Sequence, residues 1–310
     1  MSSLVVRRRL RARRRHRSSH LLRILLALGL GIVALAATGA TVAIAAVFAV
    51  YQHYADDYLP ITDHLRQKNI GLTEIYDRGG PTGGVLLGSL TNREAQLLNP
   101  VPLDQISEWM VLATVSTEDD SFYENPGVNV RGLIRAFYEN YVAGSFGSGT
   151  GGSSITQQLI KNVYICPNVR TAQDQYLCLT AERTLDRKLR EIVYALELTD
   201  DYTKDQILAW YLNQISYGGQ YIGVQAAAQG YFRKNAADLT LGEAALLAGV
   251  PQSPTLYHPR LNCVRDGLGA CVVDEKGRTT LAEHAKERQE SVLDLMVEHG
   301  RITREQADTA

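Results

Sequence analysis

Cysteine is scarce in this chain. Its 310 residues hold only Cys166, Cys178, Cys263 and Cys271, none in a C-x-x-C pair, and the seven histidines do not gather around them. A zinc framework of the usual spacing is therefore excluded. No Gly-Lys-Ser/Thr follows a glycine run, which excludes a Walker-type nucleotide loop. No repeat of 20–50 residues occurs, which excludes a solenoid. Acid is missing from residues 1–23, where nine arginines stand (Arg7, Arg8, Arg9, Arg11, Arg13, Arg14, Arg15, Arg17, Arg23). The remainder has 23 basic against 33 acidic residues, a net −10. A domain that acidic repels phosphate backbones, so nucleic acid is not an expected partner.

Charge is missing altogether from Ile24 to Val50, where Thr38 and Thr41 carry the only polar side-chain groups. About 20 such residues span a bilayer. The arginine block would stay in the cytoplasm under the positive-inside rule and meet anionic lipid there, leaving residues 51–310 outside. Tyr51, Tyr54 and Tyr58 suit the outer interface. A signal peptide cut near Ala43-Ile44-Ala45 is the competing account, but the apolar run is far longer than an h-region. In an oxidising compartment an even count of cysteines reads as disulfides. Of three connectivities, Cys166–Cys178 with Cys263–Cys271 closes two short loops.

Apolar residues make up 45% and charged residues 21% of the chain, enough for a packed core. Residues 51–71 read as a juxtamembrane stalk. Residues 72–90 alternate weakly around Gly79, Gly80, Pro81, Gly83 and Gly84, a hairpin signal. Helical periodicity follows. Ile106, Trp109, Met110 and Ala113 form one stripe, with Asp104 able to begin the helix. Val130, Leu133, Ile134, Phe137 and Tyr141 form another, with Asn129 as N-cap. Capping boxes stand at Thr203…Gln206, Thr240…Glu243, Thr280…Glu283 and Thr303…Gln306. Gly249 and Gly300 fit positions just past helix ends. Thr303…Gln306 lies one turn from Ala310, so the chain is expected to be a fragment of a longer protein.

Three segments carry candidate chemistry. Glu118-Asp119-Asp120-Ser121-Phe122 ends the Ile106 helix, where the dipole disfavours anions and a carboxylate pKa can rise toward a general base's range; an exposed acidic turn is the plainer account. Gly147 to Lys161 runs a glycine loop into a helix start rich in hydroxyls and amides, an anion site with a cation two turns on; alone it is equally a flexible loop with a serine N-cap. Arg187-Lys188-Leu189-Arg190-Glu191 lies on a helix with an expected buried stripe of Leu185, Leu189, Ile192 and Leu196; alone it is a surface ion pair.

In this order the segments resemble the family 51 peptidoglycan glycosyltransferases, the polymerase domain of class A penicillin-binding proteins and monofunctional transglycosylases. The motif E-D-x-x-F-x-x-H-x-G appears as Glu118 to Gly127, G-x-S-T-I-T-Q-Q as Gly151 to Gln158, and R-K-x-x-E as Arg187 to Glu191. A fourth motif resembles Ile207 to Asn213 with Gly218 and Ala226 to Phe232. A fifth, R-x-x-x-V-L, is Arg288 to Leu293. The family's histidine is Asn125 here, its aspartate is Asn129, and Gln289 stands for a frequent second arginine. The Cys166–Cys178 loop looks like an insertion.

The resemblance implies a mostly α, lysozyme-like helical domain over residues 72–300 with a small β-hairpin element. One transmembrane helix at 24–50 and a cytoplasmic tail at 1–23 precede it, and residues 301–310 start a further helix. The implied activity is polymerisation of lipid II, with Glu118 as general base and Glu191 across the cleft at the pyrophosphate. Ser153, Gln157, Gln158, Lys161, Arg187 and Lys188 would hold donor phosphate and sugar, supported by Arg135 and Arg288. Implied partners are lipid II, the growing glycan strand, membrane lipid and cell-wall synthesis proteins. No cofactor is required, though the scheme leaves room for a divalent cation, magnesium or manganese, at the pyrophosphate. A lysozyme-like glycosidase and a silent glycan-binding module are the alternatives. No S-x-x-K or K-T-G occurs, so no transpeptidase chemistry is carried by these residues.

Overall fold

The computed structural model describes residues 3–62, 73–79, 85–90, 97–98, 100–138, 152–165, 184–219, 221–259, 263–273, 280–281 and 283–310, with side chains for most of these from Arg23 onward. Two compact units emerge, residues 1–57 and 58–310. The first is helix α1 (Ser3–Ala55), which runs unbroken through both the arginine segment and the apolar run. Its stretch Leu25–Ala55, mean hydropathy 2.3, is long and apolar enough to cross a membrane. The two threonine hydroxyls there donate to their own helix, Thr38 to the Ala34 carbonyl and Thr41 to that of Ala37, both at 2.9 Å. These are the only polar side-chain groups from Ile24 to Val50, and bonding them within the helix suits a hydrocarbon environment.

The second unit is mainly helical. It opens with an antiparallel pair, β1 (Thr73–Tyr76) and β2 (Leu86–Leu90), the expected hairpin, with its register slipping between Ile75 and Tyr76. A short parallel pair joins β3 (Leu97–Leu98) to β4 (Tyr221–Ile222). Between these strands in sequence lie α2 (Glu108–Glu118), α3 (Val130–Phe137), α4 (Ile155–Ile160), α5 (Leu185–Asp201) and α6 (Lys204–Gln214); after them come α7 (Val224–Phe232), α8 (Leu241–Gly249), α9 (Glu283–Glu298) and α10 (Arg304–Thr309). The helices pack in two groups. Helices α2, α8 and α9 pack on one another, while α4 packs on both α5 and α6. Helix α8 is apolar nearly all round, and Ala244 to Gly249 are buried, as befits the centre of the first group.

Local signals set most helix starts. Asn129 caps α3 by accepting from the Gly132 N–H. Thr203, Thr240 and Thr303 close capping boxes on α6, α8 and α10. Gly300 takes φ +67 after α9, the left-handed position expected of it.

Several expectations need correction. Asp104 lies in a 3₁₀ turn, Leu103–Gln105, and α2 starts after Ser107, whose hydroxyl donates to the Leu239 carbonyl instead of capping. Thr280 is bonded through its backbone to Val264 and Val272 and lies three residues before α9 begins at Glu283, so it does not stand at that helix's N-cap position. Gly249 is helical, φ −76; a Cβ there would meet Arg288 Cγ at 2.8 Å, so close packing is its reason. On α5 the buried face is Glu191, Val193, Tyr194, Ala195 and Leu198, whereas Leu185 is 78% and Leu189 39% exposed. Tyr58 stacks on Tyr164 and meets Tyr194 edge-on within the second unit.

Candidate active site

A cleft of about 300 Å³ opens where the two helix groups meet. Its described lining comes from four directions: Thr117 and Glu118 from the end of α2; Ser153, Gln158, Lys161 and Asn162 from α4 and its flanks; Ile215 and Ser216 after α6; and Pro251, Gln252 and Arg288 around α8 and α9. Lys161 and Asn162 belong to a wide π-type turn, Lys161–Ile165, that continues α4. Such turns bulge side chains out of register with the helix and recur at functional sites.

Glu118 is the one carboxylate in that lining. Burial pushes its pKa above the ordinary carboxylate value; Asp119 adds to the rise, while the Gln158 hydrogen bond, Arg288 and Lys161 oppose it. Gln158 Nε2 donates to Glu118 Oε2 at 2.7 Å, and Tyr211 Oη donates to Gln158 Oε1 at 3.1 Å. Because the tyrosine proton goes to Oε1, the amide must turn its N–H toward the carboxylate. Glu118 is thus a fixed carboxylate, reluctant to hold charge, beside two cations.

Glu191 is buried next to the cleft but outside its lining. Its Oε1 lies 3.2 Å from Arg187 Nε and its Oε2 3.2 Å from Lys188 Nζ. Lys188 Nζ also donates to Ser153 Oγ at 3.0 Å, which links this cluster to the cleft wall. Arg187 Nη1 is buried and has no hydrogen-bond partner among the described residues. A buried guanidinium donor without an acceptor costs free energy unless an oxyanion meets it. The set does not fit a resident divalent cation: magnesium takes oxygen ligands, and this single carboxylate already faces two cations.

Gln157 is not in the cleft. It is buried at the third position of α4, where its Oε1 accepts from the Ser154 N–H in a capping box and the Ser154 hydroxyl donates to the Gly127 carbonyl. Arg135 lies exposed on α3, outside the lining. Gln289 is also turned away and donates to the Gly242 carbonyl at 2.7 Å, so it ties α9 to α8. Cys263 and Cys271 are bonded, with Cα atoms 5.6 Å apart. Cys166 and Cys178 lie outside the described residues.

The sequence had not singled out Asp119 for a role of its own. Its buried carboxylate accepts from Ser121 Oγ, Asn125 Nδ2, Asn129 Nδ2 and the Ile155 N–H. It ties the turn after Glu118 to the starts of α3 and α4, which fixes Gln158 relative to Glu118. Asn125 is fully engaged. Its amide spans both Asp119 oxygens at 3.1 and 2.9 Å, and its carbonyl accepts from Gly127 N–H and Lys204 Nζ. Lys204 lies 4.7 Å above the Phe122 ring, and burial lowers its pKa to about 8 against the opposing pull of Asp119. Thr117, Asn162, Ser216 and Gln252 were also missed. The first two adjoin Glu118 and Lys161, but the last two arrive on loops distant in sequence and leave no periodic signal.

The chain is similar to known proteins. The family model described as Transglycosylase matches residues 84–297. The chain is 33% identical over 258 residues to penicillin-binding protein 1F of Bacillus subtilis (strain 168), covering 83% of this chain and 29% of that protein. It is 38% identical over 208 residues to penicillin-binding protein 1A of Neisseria flavescens, covering 67% and 22%. With penicillin-binding protein 1A of Aquifex aeolicus (strain VF5) the identity is 36% over 238 residues, covering 77% and 27%. The chain therefore spans less than a third of the length of these relatives. A crystal structure of penicillin-binding protein 1A from Haemophilus influenzae aligns with 77% of this chain and 20% of its own, at 21% identity and a TM-score of 0.34.

Proposed function

Since the chain belongs to the transglycosylase family, we propose that it is a membrane-anchored peptidoglycan glycosyltransferase. It polymerises lipid II into glycan strands and releases undecaprenyl pyrophosphate. The observation that carries this is the pairing of one pKa-raised carboxylate, Glu118, with a cationic surround of Lys161, Arg288 and the Ser153–Lys188–Arg187 cluster. Pyrophosphate is already a good leaving group. Its departure calls for stabilisation of developing negative charge more than for a strong acid.

In this scheme the 4-hydroxyl of the lipid II acceptor attacks C1 of the growing chain's lipid-linked end. Glu118 takes the hydroxyl proton as the new C1–O bond forms, and the C1–O bond to pyrophosphate breaks on the opposite face, inverting C1. A raised pKa suits this role, because a base is most effective when its pKa approaches the working pH. Gln158 holds the carboxylate in place. The free Arg187 donor, Lys188 and Ser153 meet the pyrophosphate, with Lys161 and Arg288 on the other walls. Glu191 keeps the two basic side chains aligned. Cleavage of a neutral glycan does not call for such a cradle.

The apolar part of α1 would hold the cleft beside a substrate that cannot leave the bilayer, with the arginine segment in the cytoplasm. The test is incubation of the purified chain with lipid II. Glycan polymer is expected. Shortened glycan from a preformed strand would mark a glycosidase, and retention of lipid II without turnover a binding module.

A further inference from the structure

We infer that Tyr231 and His258 form a positioning pair that fixes the cleft wall opposite Ser153 and Lys161; the substrate named in its test rests on the function proposed above. Two loops make that wall. One carries Ile215 and Ser216, the other Pro251 and Gln252. The second begins as a 3₁₀ turn, Val250–Gln252, at the end of α8 and runs on to His258. Behind them, Tyr231 Oη donates to the Tyr217 carbonyl at 2.8 Å and lies 3.2 Å from His258 Nε2. The phenol has one proton, and the Tyr217 carbonyl takes it. His258 Nε2 must therefore carry the hydrogen that faces the phenol oxygen. The imidazole belongs to the second loop and the Tyr217 carbonyl to the first, so the phenol bridges the two.

The surroundings are shaped to this bridge. His258 is buried, and its ring meets that of Tyr231 edge-on, with centroids 5.4 Å apart and planes at 90°. Gly218 and Gly219 take φ +88 and +59 against the imidazole. A Cβ at Gly218 would lie 2.9 Å from His258 Cδ2 and 2.8 Å from the Pro254 carbonyl oxygen; one at Gly219 would lie 3.0 Å from His258 Nε2. These glycines let the first loop close onto the histidine. The Gly218 N–H donates to Ser216 Oγ, which aims a cleft hydroxyl, and Arg288 sits over the ring of Tyr257, the residue before His258. Loosening the pair should therefore misplace Ser216, Gln252 and Arg288 while leaving Glu118 and Gln158, which come from α2 and α4, in register.

The test compares Tyr231→Phe, His258→Leu and His258→Gln with wild type, each as the full chain in detergent. Tyr231→Phe and His258→Leu should raise KM for lipid II by about threefold to tenfold and lower kcat by less, because the displaced wall contacts weaken substrate binding while Glu118 and Gln158 stay in register. His258→Gln, whose amide N–H reaches near the Nε2 position, should bring KM back toward wild type. Hydrogen exchange at the Tyr217 and Gly223 amides, which bond across the first loop, should quicken in the first two variants only. An unchanged KM, a fall in kcat alone, or a His258→Gln variant no better than His258→Leu overturns the pair. If wild type does not polymerise lipid II, the proposed function fails, and exchange alone decides: quickening at those amides upholds the pair and unchanged exchange refutes it.

Discussion

In a Gln158→Met variant, Glu118 loses the amide N–H that now meets its Oε2 at 2.7 Å. That hydrogen bond is the largest influence opposing the effect of burial on the carboxyl. A hydrogen bond to a charged group is worth about 1.5–3 kcal/mol. At 1.36 kcal/mol per tenfold change in proton affinity, its loss moves the acid limb of the pH–rate profile upward by about one to two pH units. Methionine fills nearly the same volume, so the cleft keeps its shape. The substitution also strands the buried Tyr211 hydroxyl, which loses Gln158 Oε1 as acceptor, at a cost of about 1–3 kcal/mol in stability. Adding Tyr211→Phe removes the stranded group. The double variant should regain stability while the displaced acid limb remains. Initial rates of lipid II polymerisation between roughly pH 5 and 9, with thermal melts alongside, measure both effects. An acid limb that stays in place in both variants would refute the assignment of Gln158 as the group that keeps Glu118 ionised.

Further outcomes follow from the same contacts. Glu118→Gln should make the protein more stable than wild type at neutral pH and equal to it below the ordinary carboxylate range. Between the ordinary and the raised value the folded state holds a proton that the unfolded chain gives up, so wild-type stability falls as pH rises through that window; melts against pH that run parallel would contradict this. Asn125→Asp sets carboxylate against both oxygens of Asp119 and removes two donor contacts. It should cost at least about 1.5–3 kcal/mol at neutral pH, partly recovered in acid when one carboxyl protonates, as denaturant titrations at two pH values would show. Gly249→Ala brings a methyl to 2.8 Å from Arg288 Cγ; pushing Arg288 aside should raise KM for lipid II more than it lowers kcat. Protease added to intact spheroplasts should digest residues 58–310, and full protection would contradict the outward topology.

What the sequence made legible was local. Capping boxes at Thr203, Thr240 and Thr303 announce themselves within four residues, and all three form. Glu118, Ser153, Gln158 and Lys161 could be picked out because each lies in a short motif, and they do share a cleft. The failures are long-range. Asp104 does not begin α2, which starts after Ser107, and the Ser107 hydroxyl donates to a carbonyl 132 residues away. The buried face of α5 was misplaced because hydropathy counts Glu191 as polar, whereas the fold buries it with Arg187 and Lys188 as partners. Gln157 reads as a binding amide in a Gln-Gln pair, but its side chain turns back to close the capping box with Ser154. Ser216 and Gln252 reach it on separate loops, a placement that no spacing encodes.

The central claim is that Glu118 carries polymerisation as a base in a site that binds lipid II without it. The most direct measurement sets wild type beside Glu118→Gln on labelled lipid II, with glycan products separated by length and lipid II affinity measured on the same preparations. The account predicts long strands from wild type. From the variant it predicts a rate lower by about 10²–10⁴ with affinity nearly unchanged. A Glu118→Gln protein that polymerises at the wild-type rate, or that fails only because it no longer binds lipid II, would contradict it.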